Sequence, residues 1–483
     1  MKFIKILFVF SALVQAQIGV TNSFKLAQEI KSTSAVNNAF LGNGIIDLLI
    51  NGDDVWAATG YGLNKSANEG VSWDSFDAED YNSKGGLSAL ALMDSNTIWI
   101  ATAFDTTAQD EDLSAGGGLS YTQDGGLSWT HVRQPVDSRD ETEYSPTTTV
   151  IQNLTFDIAF VDSTIWIASF GGGLRRSDDM GQTWQVVTTD GIPFSSGDYV
   201  NHRAFSLLEE NGNLWYGSAE GISKSADNGL TWQRFTHKNQ EFPISGNFVV
   251  ALGYQQASNT IWAATIEALG ADEKRAVSKS TNGGLTWEVV LEGIFAHNFG
   301  FAGNRVFVAA DAGVFISEDG GESWYNLPPV VDSESAEAIL DEEYFSAAGQ
   351  GQRWWLGSSD GLATTNDNGN TWQVIRSFVS TRERTSPKIY AYPTAFSPAR
   401  GGVTRFQYDI SGPADVEINI FNFAMERVIS IKTTESSTNS SAVDRSTYWD
   451  GRDSSGHIVA SGVYYFRAEV DKKVEWGKVV VIN

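Results

Sequence analysis

The sequence predicts an all-β chain, a seven-bladed β-propeller followed by a small Ig-like β-sandwich. Three observations predict it. One turn pattern, Ser/Thr-x-Asp/Asn-x-Gly-x-Ser/Thr-Trp, recurs seven times between Ser66 and Trp372. Apolar runs of strand length lie upstream of every copy, and the pattern stops after Phe378, where a different set of alternating runs begins. The composition is high in Gly, Trp and Phe and contains no cysteine, which favours sheet and leaves packing alone to stabilise it.

In chain order, MKFIKILFVFSALVQAQ carries Lys2 and Lys5, an apolar run from Ile6 to Val14, and the small residues Val14 and Ala16 at the −3 and −1 positions of a cleavage site. This predicts a secretory signal peptide over residues 1–16. The run is far short of the roughly 20 residues that a membrane span needs, and no later stretch reaches that length. Residues 17–378 are assigned to the propeller. A first strand such as IIDLLI (Ile45–Ile50) or LSALAL (Leu87–Leu92) is followed by a polar turn. A second strand follows, for example VWAAT (Val55–Thr59) or IWIAS (Ile165–Ser169), then a glycine-rich bend, a short third strand, the repeated turn and a fourth strand such as Thr371–Phe378. Four antiparallel strands repeated seven times make a propeller. Each blade owns all four strands, so ring closure stays open, with Thr21–Lys31 available as an extra edge strand.

Within the turn, the Asp or Asn side chain is placed to accept backbone N–H groups just downstream, and the Gly supplies positive φ. These acceptors are Asn68, Asp124, Asp179, Asp227, Asn282, Asp319 and Asp367. The tryptophans Trp73, Trp129, Trp184, Trp232, Trp287, Trp324 and Trp372 start the returning strands with rings turned inward. Each buried ring is worth at most about 4–6 kcal/mol. The pattern resembles the Asp-box, or BNR repeat, of sialidases, xyloglucanases, sortilin-type receptors and photosystem II assembly propellers. That resemblance implies that the seven turns are structural and lie at the periphery, remote from any substrate site.

VSTRERTSPK (379–388) reads as a linker, and residues 389–483 as the sandwich, with strands at Val403–Ile410, Val416–Asn422, Arg427–Lys432, Val463–Val470 and Lys478–Ile482. Trp449, Asp450 and Gly451 with Ser461 to Tyr465 resemble the Ig-like domain of the flagellar hook-capping protein (FlgD). YPTAFSP (Tyr392–Pro398) and the position of this module at the end of the sequence also resemble type IX secretion sorting domains. That resemblance implies contact with the type IX machinery.

A propeller puts its second-to-third and fourth-to-first connections on one face. The long insertions belong there: Phe104–Gly118, Arg133–Val150, Asp190–Arg203, Ile266–Ala276 and Pro328–Tyr344. A scaffold that elaborates one rim binds something on it. The candidate ligand-binding residues are Tyr61, Phe104, Asp105, Phe170, Arg175, Arg176, Tyr199, His202, Arg203 and Glu267. The aromatics suit stacking on sugar rings, and Asp105, Asp110, Glu111, Asp112 and Glu267 are the carboxylates on offer to a glycosidase. The Arg-Ile-Pro type motif of sialidases is missing, and xyloglucanases build their cleft between two propellers, whereas this chain has one. No catalytic residue is assigned. DEDLSAGGG offers clustered carboxylates to calcium but lacks the ligand alternation of a defined calcium loop.

The five histidines have no ligand spacing, and a net charge of −26 repels nucleic acid and anionic membranes. The expectation is a secreted or surface-attached monomer that needs no cofactor and binds a glycan or an extracellular protein. The alternative is a glycoside hydrolase acting on extracellular polysaccharide. An envelope assembly factor is a weaker third reading.

Overall fold

The computed structural model describes residues 40–108, 111–267, 272–333, 337–377, 388–400, 402–410, 412–435 and 443–483. The expected signal peptide, the extra strand at Thr21–Lys31 and the linker up to residue 387 lie outside the described residues. The chain forms two compact units, one of Met1–Val330 with Glu342–Arg376, the other of Val331–Asp341 with Ser377–Asn483.

In the first unit, seven four-stranded antiparallel sheets follow one another, each built from four consecutive strands in chain order. The first holds Ile45–Asn51, Asp54–Thr59, Leu63–Ser66 and Asp74–Phe76, and the last holds Tyr344–Gln350, Arg353–Ser358, Gly361–Thr365 and Gln373–Ile375. Second strands such as Thr164–Ser169 are buried throughout, because neighbouring sheets cover both faces. That is why they read as continuous apolar runs rather than as alternation. First strands pack side by side around a circle, with Ile45–Asn51 between Gly86–Leu92 and Tyr344–Gln350.

Closure needs no strand exchange among the described residues. Ser346 Oγ donates to the Ile45 carbonyl (3.0 Å), and Phe40, Ile45, Val55, Ala57 and Trp73 of the first sheet share one apolar cluster with Trp355 and Leu362 of the last.

The repeated turn works as a small hydrogen-bonded device. In the fourth copy Asp227 Oδ1 accepts from Ser225 Oγ and Thr231 N–H (both 2.8 Å), Oδ2 accepts from Thr231 Oγ1 (2.6 Å), and Gly229 N–H donates to Ser225 Oγ (2.8 Å). Every hydroxyl and carboxyl of the pattern is thereby used within the turn. Asn68 does the same through its amide, accepting Ser72 N–H and donating to Ser72 Oγ. Gly229 sits at φ 86°, and a Cβ there would meet Trp166 Cη2 at 2.4 Å. The turn therefore presses its glycine onto the second-strand tryptophan of the preceding sheet.

The turn tryptophans reach the same place. Trp232 meets Trp166 edge-on at 6.2 Å, Trp324 meets Trp262 at 5.9 Å, and Trp73 closes the ring on Trp355 at 6.1 Å. They are staples between sheets rather than residues of one sheet's core. Only Trp73 and Trp287 are fully buried, so the 4–6 kcal/mol bound overstates the half-buried others. The expected fourth strand Thr371–Phe378 contracts to Gln373–Ile375, because the tryptophan backbone still belongs to the turn.

In the second unit a three-stranded sheet (Tyr390–Tyr392, Thr404–Ile410, Val443–Trp449) and a five-stranded sheet (Ala395–Phe396, Lys473–Val481, Gly462–Val470, Ala414–Phe421, Arg427–Glu435) enclose one core. Phe406, Tyr408, Ile418, Trp449, Phe466 and Val479 form its centre. The strand Val443–Trp449 goes unread in the sequence, because its polar residues hide the alternation that ends on buried Trp449.

Candidate functional site

The register of every first strand slips by one residue at the same place, next to the insertion-bearing face. The bulged residues are Ile46, Ser88, Phe156, Phe205, Val250, His297 and Phe345. Bulges re-aim side chains and favour functional positions. Here neighbouring bulges meet: Phe156 stacks on Phe205 at 5.7 Å, and His297 meets Phe345 edge-on at 5.5 Å. Phe170, Phe248 and Ile266 pack around Phe205, with Phe295 against the same cluster. The inner end of this face is thus an aromatic mouth.

Cations cap three rings on this face, two in the mouth and one on the Phe104–Gly118 insertion. Lys84 Nζ lies 3.9 Å over Phe104, the Arg203 guanidinium 5.6 Å over Phe170 and the Arg275 guanidinium 5.2 Å over Phe295. Arg203 is 3% exposed, its Nε donates to the Ser196 carbonyl (2.7 Å), and its Nη1 has no acceptor. Burial pushes its pKa down from the usual arginine value, with no carboxylate beside it to offset that.

One residue beyond the bulge, two first strands carry acids. Asp47 Oδ1 accepts Leu48 N–H (2.9 Å) and Asn298 Nδ2 (3.3 Å), the latter reaching past the seventh sheet. Asp157 accepts Ile158 N–H (2.8 Å) and, from the next sheet, Leu207 N–H (2.7 Å). Both are enclosed by protein and only partly exposed. Burial pushes each up to about 7, and for Asp157 the charge of Asp47 adds to the rise. The same burial pushes His297 down to about 4. These groups are absent from the sequence-based candidates, and the signal for them is a polar residue at the third position of an apolar first strand (IIDLLI, TFDIAFV, AHNFGFA).

The insertions are more ordered than their composition suggests. Phe104–Gly118 is a β-ribbon, not a loop, since Ile98–Ala108 and Glu111–Thr122 stay paired out to Ala108 opposite Glu111. Asp105, Thr107, Asp112 and Ser114 share one ribbon face, with Ser114 Oγ on Asp105 and Thr107 Oγ1 on Asp112, while Glu111 takes the other face. Pairing therefore spreads the acids of the suggested calcium loop, and no group of three acidic, His or Cys side chains suited to a metal occurs among the described residues. Asp110 lies outside them.

Arg133–Val150 and Asp190–Arg203 interlock. Ser145 N–H donates to the Phe194 carbonyl (2.8 Å), and Thr147 Oγ1 and Ser196 Oγ both donate to the Gly171 carbonyl. The last insertion corrects an expectation, because its segment Val331–Asp341 belongs to the second unit rather than to the propeller rim.

Three candidate ligand residues are reassigned. Arg175 is buried and pairs bidentately with Asp137 (2.7 and 2.8 Å), which also accepts Thr147 N–H. Burial opposes ionisation of Asp137, but the Arg175 hydrogen bonds and charge hold its pKa below the ordinary value. Arg176, the next residue on the strand, points the other way, bonding Asp178 and the Asn228 carbonyl among the repeated turns. His202 is buried, and its Nδ1 accepts Ser195 N–H (3.0 Å), so its proton sits on Nε2 toward Asp190 (3.3 Å).

Of the other candidates, Phe170 and Arg203 belong to the mouth, Phe104 and Asp105 to the ribbon, and Tyr61 to the bend after the first sheet's second strand. Tyr199 is 39% exposed beside His202, and Glu267 lies 3.8 Å from Arg275. Asp105 and Glu267 come from the second and fifth sheets, which are not neighbours.

Comparison with known proteins places this geometry. Residues 394–473 match the model of the FlgD Ig-like domain. A xyloglucanase of Paenibacillus sp is 24% identical over 262 residues, covering 43% of this chain and 24% of that enzyme. The chain thus spans about a quarter of the length of that relative, and the alignment leaves most of the enzyme unmatched. The GH74 enzyme of Niastella koreensis has a similar structure, with a TM-score of 0.50 at 14% identity, covering 93% of this chain and 74% of that one. PorZ of Porphyromonas gingivalis, described as a surface component of the type IX secretion system, matches with a TM-score of 0.47 at 16% identity, covering 93% and 61%. At these identities the structural likeness shows fold alone. The chain is an all-β, propeller-like protein with a C-terminal Ig-like domain.

Proposed function

We propose that this chain is a secreted or cell-surface binding module, a seven-bladed Asp-box propeller that holds a glycan at the aromatic mouth without cleaving it. The observation that carries this reading is the cation-capped rings, Lys84 on Phe104, Arg203 on Phe170 and Arg275 on Phe295. Phe104 and Phe295 are only partly buried, which leaves ring surface beyond the capping cation for a sugar face to stack on, and the interlocked insertions give them a firm rim. The partial likeness to xyloglucanases makes a β-glucan-type polysaccharide the first ligand to try. In this reading residues 1–16 are a cleaved signal peptide, residues 17–378 the propeller and 389–483 the Ig-like domain. The sequence likeness of the tail to type IX sorting domains makes that machinery its partner during export. The module works as a monomer and requires no cofactor.

A second reading, a glycoside hydrolase, draws on the same xyloglucanase likeness and on Asp47 and Asp157, whose pKa of about 7 suits a general acid. A polysaccharide retention assay run beside a reducing-end assay, with and without calcium, separates the two. Retention of xyloglucan or a related glucan with no new reducing ends is expected. Reducing ends that disappear in Asp105→Ala, Glu267→Ala or Asp47→Asn chains would establish the hydrolase instead.

A further inference from the structure

The three-stranded sheet of the second unit has an outward side that is covered. Alternation along Thr404–Ile410 sends Phe406 and Tyr408 into the sandwich core and Arg405 and Gln407 outward, with Ser446 paired to Gln407 on that outward side. Outward residues of a small sandwich are ordinarily wet, yet Arg405 and Gln407 are each only 5% exposed. The segment Val331–Asp341 supplies cover. Ser446 Oγ donates to Glu337 Oε1 (2.5 Å), and Arg405 Nη2 donates to the Ala338 carbonyl (3.0 Å).

The segment is also organised in itself. Val331 and Ala338 form an antiparallel bridge, Asp332 N–H donates to the Glu337 carbonyl (2.7 Å), and Asp332 and Ile339 are buried. In the chain it lies between Tyr325–Asn326, the last strand of the sixth propeller sheet, and Tyr344–Gln350, the first of the seventh. The second unit is therefore joined to the rest of the chain at three peptide bonds, after Val330, after Asp341 and after Arg376.

We infer that Val331–Asp341 is a strap, a segment carried by the propeller's sequence whose binding surface is the Arg405–Ser446 side of the sandwich. It retains the sandwich even when the linker at 379–387 is cut. The partner of this surface is a piece of the same chain that presents one carboxylate to a hydroxyl and one backbone carbonyl to a guanidinium. A C-terminal module held this way stays with the mature protein after cleavage in the linker, whatever route exports it.

The test uses the full chain with a site-specific protease sequence in place of residues 380–386. After complete cutting, gel filtration under native conditions is expected to give one species containing both fragments, which separate only in denaturant. Fragments that part on cutting overturn the inference. Two variants locate the hold: Glu337→Ala with Arg405→Ala, and replacement of Val331–Asp341 by a Gly/Ser stretch of equal length. Each is checked for folding by its melting curve before cutting. Loss of the two hydrogen bonds should weaken retention roughly tenfold or more, and the Gly/Ser replacement should release the sandwich outright. Cut chains that hold together as firmly without the strap as with it also overturn the inference.

Discussion

Replacing Asp47 and Asp157 together by Asn should reverse sign with pH. Both carboxyls stand at about 7 in the fold against an ordinary 3.8, because burial disfavours their charge. Between those values the folded chain binds more protons than the unfolded one, so these two groups stabilise the fold fully in acid. Their contribution is lost as pH rises through the folded value near 7. At 1.36 kcal/mol per pH unit, the full rise costs about 4 kcal/mol per ionised carboxyl. Partial exposure and mutual coupling reduce this, and about 4 kcal/mol for the pair is the working figure.

Asparagine removes that penalty but not the need for acceptors. At position 47 its carbonyl still accepts Leu48 N–H. At position 157 one oxygen becomes an NH₂ facing a backbone donor, Leu207 or Ile158 N–H, which costs about 1–2 kcal/mol. The Asp47→Asn, Asp157→Asn chain should therefore be less stable than the parent by about 1–2 kcal/mol below pH 4, near parity at pH 5, where about a third of the penalty is already in place, and more stable at pH 8.5 by about 2–3 kcal/mol. Urea midpoints at pH 5, 7 and 8.5 measure it. The comparison has to be between the two chains, because neutral buried His297 gives both a slope of the opposite sign between about 4 and 6.5. A stability difference that does not change between pH 5 and pH 8.5 would refute the reasoning.

Three further outcomes are expected. Arg175→Ala leaves Asp137 buried without its partner and should cost about 3–5 kcal/mol, read as a lower urea midpoint. Trp355→Ala opens the seam between first and last sheets and should cost about 3–5 kcal/mol, with amide exchange rising first in Ile45–Asn51 and Tyr344–Gln350. Asp227→Ala should lower the melting temperature, while Asp227→Asn, the arrangement already present at Asn68 and Asn282, should barely move it. Hydrogen bonds from Thr231 and Ser225 hold the Asp227 carboxyl down at about 2. Its contribution is therefore present above the ordinary 3.8 and fades as pH falls toward 2, so the Ala and parent chains should converge in acid.

The fold was legible because it is repeated and local. Each turn satisfies its own Asp and Ser/Thr groups within seven residues, so seven copies of the pattern point to seven sheets. Closure was not legible in the same way. It rests on Ser346 meeting Ile45 and Trp355 meeting Trp73, pairs that no local period connects. The ribbon at Phe104–Glu111 was read as a loop because its acids drew attention away from its period of two. The adjacent Arg175 and Arg176 were both placed among the ligand-binding candidates, although that same period sends neighbours on a strand to opposite sides.

The site was legible only at its edge, and the reason is physical. Sequence reading looks for function where composition departs from the scaffold, which in a propeller means the insertions. The mouth is made instead by a bulge shared by all seven first strands, where the residue type varies freely while the geometry does not. Phe156, Phe205, His297 and Phe345 occupy equivalent places. So do Asp47, Asp157 and Asn298 one step further along, amid Ala89, Ser206, Ala251 and Ser346. Aligning first strands against one another, rather than turns, is what separates these positions from the core. It also shows where the chain departs from its own symmetry: the acids fall in the first and third sheets and the amide in the sixth, so the ring of first strands is chemically asymmetric although its backbone repeats.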